Sequence, residues 1–174
     1  VFQRRYNGSV DFYRNFSDYE DGFGNVNGEH WLGLRKIYEM TNTGEYELRI
    51  DIKDINGLNA FEVYSAFELD LALIIHSTLE AGQVSGRFTL ADPTYGENGM
   101  SFSTKDRDLD HNFDNCVIDY HGGWWYNQCC TKNLNGLYNT TPDSLSSYSI
   151  YDNSFHFPQH IKLIQTKMMF REIV

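Results

Sequence analysis

Positive charge is scarce in this 174-residue chain: 14 Lys and Arg stand against 24 Asp and Glu, for a formal net charge of −10. Such a balance argues against nucleic acid or an anionic bilayer as the main partner, because both need clustered Lys and Arg. Long apolar runs are missing as well. The longest, Leu69 to Ile75, is interrupted by Asp70 and falls far short of the roughly 20 residues that a membrane-spanning helix requires, so no membrane insertion is expected. No initiator Met, charged leader or signal-peptide core opens the chain. It starts in strand-like residues, Val1-Phe-Gln-Arg-Arg-Tyr6, and reads as an excised part of a larger protein. Nor is there a nucleophile–base pair or an open metal site of the kind catalysis needs, so an enzyme is not expected.

What the chain has in abundance is rings. Twelve Tyr, 12 Phe and 3 Trp make 16% of a sequence that is 41% hydrophobic, enough for one sizeable core within a single domain over residues 1–174. The tyrosines also supply rings that can hydrogen-bond at a site.

Along the chain, Ser9-Val-Asp-Phe-Tyr13 alternates like a strand, and Ser17-Asp-Tyr-Glu20 has the form of a capping box opening a short helix that Gly22 and Gly24 end. A second helix is predicted over 30–40, where Trp31, Leu34, Ile37 and Tyr38 follow the spacing of one buried face, with Thr41-Asn-Thr-Gly44 as its exit. Glu45 to Asp54 alternates strictly, with Tyr46, Leu48, Ile50 and Ile52 on one side. Asn56-Gly57 turns that strand into an antiparallel partner at 59–67. Leu69 to His76 is a third candidate strand, and Ile161 to Phe170 a last one that inserts into the central sheet. Between them, residues 80–160 lose periodic apolar positions and carry turn signals at Asp92-Pro93, Tyr95-Gly96 and Asn98-Gly99. A loop-rich stretch of that length is usually functional, or held by a metal or a disulfide.

Inside it, Asp108, Asp110, Asn112 and Asp114 recur at every second position, a spacing that lets a turning backbone gather hard oxygen donors of the kind Ca²⁺ prefers. The loop is not an EF-hand, because counting from Asp108 the sixth and twelfth positions are Phe113 and Asp119 where Gly and Glu are required. The competing local reading is a solvated acidic turn. Cys116 and Cys129 can close a loop of about 14 residues, a link of roughly 3 kcal/mol on the chain-entropy model. Zinc lacks a second pair of suitably spaced ligands, and His111, His121, His156 and His160 read as loop or surface residues. Sequons at Asn7, Asn15 and Asn139 offer three glycosylation sites and suit a secreted, extracellular protein.

Several segments together resemble the fibrinogen C-terminal domain. They are Phe2-Gln-Arg-Arg5, Gly8-Ser-Val-Asp-Phe-Tyr13, Gly22-Phe-Gly-Asn25, Glu29-His-Trp-Leu-Gly33, Phe102-Ser-Thr-Lys-Asp-Arg-Asp108, Asn115-Cys116, Gly123-Trp-Trp-Tyr-Asn127, Cys129 and Asn133-Leu-Asn-Gly-Leu-Tyr138. The likeness is specific from Val1 to about Tyr138 and weaker beyond. It implies an α+β domain, N-terminally truncated here, with a twisted antiparallel sheet, short helices and a loop-rich calcium- and ligand-binding subdomain over 80–160.

The resemblance further implies Ca²⁺ held by Asp108, Asp110 and the carbonyls of Asn112 and Asp114, beside a Cys116–Cys129 disulfide. It implies a neighbouring pocket at Tyr120, Cys129, Cys130 and Tyr148, used in the lectin members for acetyl groups. Cys130 stands where those members usually carry His, and Ser154-Phe-His-Phe-Pro-Gln-His160 replaces a Trp-rich segment. Cys130 is open to three fates: a thiol, a link between chains, or a competitor of Cys129 for Cys116. The implied function is a secreted lectin of innate immune recognition that takes acetylated carbohydrates or glycoproteins and oligomerises through regions outside this chain. The alternative is a protein-binding module of the angiopoietin or tenascin type, directed at a receptor or matrix protein.

Overall fold

The computed structural model describes residues 1–70, 87–89, 98–139, 150–152 and 162–173. In chain order its elements are β1 (Gln3–Arg5), α1 (Phe16–Asp21), β2 (Phe23–Gly24), β3 (His30–Trp31), α2 (Leu34–Thr41), β4 (Tyr46–Asp54), β5 (Asn59–Tyr64), β6 (Glu68–Asp70), β7 (Arg87–Thr89), α3 (Cys116–Tyr120), β8 (Lys132–Asn133), β9 (Tyr151–Asp152) and β10 (Leu163–Glu172). Six strands form one antiparallel sheet in the order β2-β3-β1-β10-β4-β5, and β6/β7 and β8/β9 form two-stranded ribbons.

The last long strand lies in the middle of the sheet, as expected of residues 161–170. Thr166, Met168 and Phe170 face inward opposite Ile52, Ile50 and Leu48, and Met168 also pairs with Gln3 of β1. A slip of one residue would turn every one of these side chains outward, which is why a one-sided apolar pattern fixes the register. β4 behaves as predicted, with Leu48, Ile50 and Ile52 buried, and β5 pairs with it antiparallel beyond the Asn56-Gly57 turn. Of the candidate strand over 69–76, the described part is the end of β6, and the remainder lies outside the described residues.

Three local expectations are corrected. Residues 9–13 form no strand, because the N–H groups of this segment are drawn elsewhere: Val10 donates to Glu29 and Tyr13 to Asp11. Helix α1 begins one residue before the supposed capping box, with Asn15 as N-cap and no side-chain cap bond. Its first N–H, that of Phe16, donates to Asp106 Oδ1 at 2.9 Å, and Glu20 pairs with Arg35 at 2.8 Å, so the cap comes from the far side of the domain. The helix predicted over 30–40 is divided. His30 and Trp31 pair as β3 with β1 and β2, and α2 starts only at Leu34. Gly33 makes the break, at φ +112 with the Asp21 carbonyl where a Cβ would stand.

The core is built from rings. Phe2 meets Trp31, Phe67 and Phe170 at centroid distances of 5.7 to 5.8 Å. Trp31 also touches Tyr19 at 5.3 Å, Phe102 at 5.6 Å and Trp125 at 6.0 Å, so one indole joins the sheet layer to the loop-rich half. Edge-to-face and offset pairs of this kind contribute about 0.5–1.5 kcal/mol each beyond their area burial. Polar bonds complete the joint: buried Gln3 donates to Leu134 O at 3.0 Å and Asn135 Oδ1 at 3.1 Å, and Arg5 Nη1 donates to Gly136 O at 2.9 Å.

Candidate cation and ligand site

The site rests on two short backbone bridges. Ser103 and Trp124 exchange N–H···O bonds of 2.9 and 3.2 Å, Thr104 and Arg107 exchange bonds of 2.9 and 3.0 Å, and Leu109 N donates to Ser103 Oγ at 3.0 Å. From this base the chain turns through 108–114. Asp108 Oδ1 accepts the N–H of Asp110 at 3.2 Å, and Asp110 Oδ1 accepts that of Asn112 at 2.8 Å. Each aspartate therefore takes the N–H two residues on, the Asx-turn geometry, and the every-second-residue spacing is the sequence form of consecutive turns. Asp110 Oδ2 also accepts Cys116 N at 2.9 Å, tying the turn to the start of α3, where Asn115 caps Val117 N at 2.8 Å.

Asp108 is one of the groups that act on Asp110. Burial raises the Asp110 carboxyl above its ordinary value, the N–H groups of Cys116 and Asn112 pull it back, and the charge of Asp108 pushes it up again. Asn112 and Asp114 are exposed. Among the described residues no three His, Cys, Asp or Glu side chains converge on one point, so a cation here would take its remaining ligands from carbonyl oxygens and water.

Cys116 and Cys129 form a disulfide with Cα atoms 5.3 Å apart, so Cys129 is the partner that Cys116 takes. The bond lashes α3 to the turn 127–129, where Asn127 N donates to Cys129 O at 2.8 Å and Cys129 adopts φ +63. The acidic loop meets the same turn, with His111 N donating to Asn127 O at 2.9 Å and Asn112 Nδ2 to Cys129 Sγ at 3.5 Å. At the other end of α3, Tyr120 is half-buried with its ring 5.9 Å from Tyr126, and its carbonyl accepts from Asn133 Nδ2 at 2.6 Å. Cys130 stands outside the disulfide, half-buried against the core like Tyr120 and Cys129. Tyr148, His156 and His160 lie outside the described residues. His111 is exposed, and His121 leaves α3 in the left-handed region at φ +52 and stacks on Tyr13 at 4.8 Å. Of the sequon residues Asn7 and Asn15 are exposed and Asn139 is half-buried.

Residues 1–171 match the family described as the C-terminal globular domain of fibrinogen beta and gamma chains. The chain belongs to this family. Human fibrinogen C domain-containing protein 1 is 44% identical over 142 residues, covering 79% of this chain and 30% of that protein. Ryncolin-4 of Cerberus rynchops is 42% identical over 138 residues, again with 79% of this chain and 39% of the relative. The chain thus spans about a third of the length of these relatives. The fibrinogen-like globe domain of human ANGPTL2 superposes with a TM-score of 0.84 at 36% identity, over 99% of this chain and 79% of that one. The α+β architecture of the chain is therefore the fibrinogen-like globe fold.

Within this fibrinogen C-terminal domain one exposed group escaped the sequence reading. Phe113, at the tip of the acidic turn, is 99% exposed. The ring stands in water beside the acidic turn. The signal was visible: a lone Phe flanked by Asn112 and Asp114 in a run with no apolar period has no core to enter.

Proposed function

We propose that this chain is the recognition domain of a secreted, calcium-dependent lectin that binds acetylated glycans or similar groups in innate immune recognition. The observation that carries the reading is the pair Asp108 and Asp110, whose bonds to backbone N–H groups hold both carboxylates in one turn. Their hard oxygens fit Ca²⁺. Asp108 and Asp110, with the carbonyls of Asn112 and Asp114, would hold the ion, which supplies neutralising charge and fixes the turn. Tyr120 and the backbone at Cys129–Cys130, with Tyr148, would then form the adjoining pocket, rings against the acetyl methyl and N–H groups toward its oxygen. The chain acts by binding, without a catalytic step. Glycans at Asn7, Asn15 and Asn139 and an oligomer formed through other parts of the protein belong to the same reading.

Two measurements test it. Saturating Ca²⁺ should raise thermal stability, by about 2.7 kcal/mol at a hundred times Kd, and Asp110→Ala should remove that rise while leaving the disulfide intact. On an N-acetylated resin the Ca²⁺-loaded domain should be retained and released by free acetate and by chelator. Retention that neither reagent reverses, or no retention, counts against the lectin.

Phe113 favours a second reading, a protein-binding module of the angiopoietin or tenascin type acting on a receptor or matrix protein. A lamprey fibrin D-dimer solved with the peptide Gly-His-Arg-Pro-amide shares the fold at a TM-score of 0.79 and 27% identity, over 100% of this chain and 62% of that one. Under this reading Phe113→Ser weakens capture of the protein partner, and the acetyl resin retains nothing.

A further inference from the structure

The outer face of the sheet, opposite the ring core, has a charge of the wrong sign for this protein. Strand alternation and register place Arg4 of β1, Lys167 and Arg171 of β10, and Arg49 and Lys53 of β4 on that face. Among the described residues that the register places on it, Glu47 and Asp51 are the carboxylates. Among the described residues, five cations against two carboxylates make the patch positive on a chain whose formal charge is −10. The carboxylates also sit lower: Asp51 bonds Arg49 at 2.6 Å and Lys167 at 2.9 Å, Glu47 bonds Arg171 at 2.7 Å, and in each pair the cation is the more exposed partner, Arg171 at 78% against 21% for Glu47.

Alongside the cations runs an apolar strip on the same face. Phe61 and Val63 of β5 are 58% and 48% exposed, opposite Asp51 and Arg49 in the register, and Met169 stands between Lys167 and Arg171. The Arg49 guanidinium lies 4.1 Å from the Phe61 ring centroid. A groove of about 550 Å³ runs between Val63, Arg49, Met169 and Lys167.

We propose that this face is a docking surface for an extended acidic polypeptide segment with apolar residues between its carboxylates. The charge selects an anionic partner. The apolar strip selects its kind. A sulfated polysaccharide would satisfy the cations and leave Phe61, Val63 and Met169 in water, whereas an extended peptide offers both groups. Its alternate side chains repeat at about 6.6–7 Å, the period on which the outer residues of β4 and β10 are themselves spaced. The surface is distinct from the acidic turn and independent of Ca²⁺.

Fluorescence anisotropy of a labelled peptide alternating Glu with Val and Phe, added to the full 174-residue chain in excess chelator, tests this. Saturable binding is expected, weakened by added salt, by on the order of tenfold or more in Arg49→Glu/Lys167→Glu, and by several-fold in Phe61→Ser/Val63→Ser. Thermal melting of each variant verifies folding, and the two variant classes fail for different reasons. Absence of peptide binding, or binding indifferent to either double variant, overturns the proposal. So does preferential binding of heparin fragments or of phosphatidylserine vesicles over the peptide.

Discussion

Glu29→Gln is expected to destabilise the domain by about 3–5 kcal/mol, the cost typical of removing one member of a buried ionic group. Glu29 is 1% exposed, and its two oxygens are the common acceptor for a whole turn of backbone. Oε1 accepts Tyr6 N at 2.7 Å and Asn7 N and Gly8 N at 2.9 Å, and Oε2 accepts Val10 N at 2.9 Å, while Arg5 Nε stands 3.9 Å away. Gln keeps the shape, but it removes the charge that Arg5 faces and points an NH₂ at N–H donors, leaving them unsatisfied. The turn's other ties are Tyr138 OH to Tyr6 O at 2.8 Å and Ser9 N to Asn7 Oδ1 at 3.1 Å. Gly8 sits at φ +71 with the Tyr138 ring 2.7 Å from where a Cβ would stand, so it is pinned from one side by the ring and from the other by the carboxylate. Urea unfolding should show the loss, and amide exchange at Tyr6, Asn7, Gly8 and Val10 should speed up before the rest of the domain opens.

The same carboxylate predicts a pH dependence. Burial pushes the Glu29 carboxyl up, but the N–H groups of Asn7, Tyr6, Gly8 and Val10 outweigh it and hold the group below its ordinary value of 4.5. A depressed folded-state value means that the contribution is complete above 4.5 and is lost as pH falls through the lower folded-state pKa. In Glu29→Gln that part of the acid destabilisation should be missing, giving a flatter stability profile below pH 4.5 than the parent shows.

Glu29 also shows why parts of the fold were readable and others were not. The strand at Tyr46–Asp54 was evident because a strand with one buried face prints its period on the chain. Residues 9–13 print the same period and are no strand, since the acceptor of Val10 N is 19 positions away in sequence and nothing local announces it. Helix α1 was placed two residues late, with Ser17 in place of Asn15 as N-cap, because the acceptor of its first N–H, Asp106, is 90 positions distant. Trp31 misled for another reason: an inward residue on a short strand can share the phase of the helix that follows, and the sequence marked the boundary only by Gly33, which takes a positive φ in the structure. At the site, the alternation of Asp108, Asp110, Asn112 and Asp114 was plain, but its immediate structural meaning is a series of Asx turns, and oxygen donation to a cation depends on those turns. The Cys116–Cys129 pairing was one of several that three cysteines allow, and the geometry of α3 and the turn 127–129 selects it.

The second large effect is expected where the sheet meets the site loop, at Glu62. Lys132, two residues beyond Cys130, carries its ammonium into the interior with a side chain only 1% exposed, where it donates to Glu62 Oε2 at 2.9 Å and Tyr64 OH at 3.2 Å. Tyr64 OH donates to the same carboxylate oxygen, so β5 of the central sheet and β8 of the loop-rich half share one acceptor. Glu62→Ala takes away the carboxylate and keeps the buried charge, which costs about 3 kcal/mol or more. Lys132→Met should cost less, because Glu62 is 21% exposed and can turn toward water. The double variant should be more stable than Glu62→Ala alone, since Met fills the space of the Lys stem and leaves no buried charge behind. Chemical denaturation of the four proteins gives the coupling energy, and additive costs would show that Lys132 does not depend on Glu62. Because β8 continues the chain that leaves Cys129 and Cys130, Glu62→Ala should also loosen the pocket side of the site, so that retention on an acetylated resin falls in the folded variant while the Ca²⁺-dependent rise in stability, which depends on Asp108 and Asp110, persists.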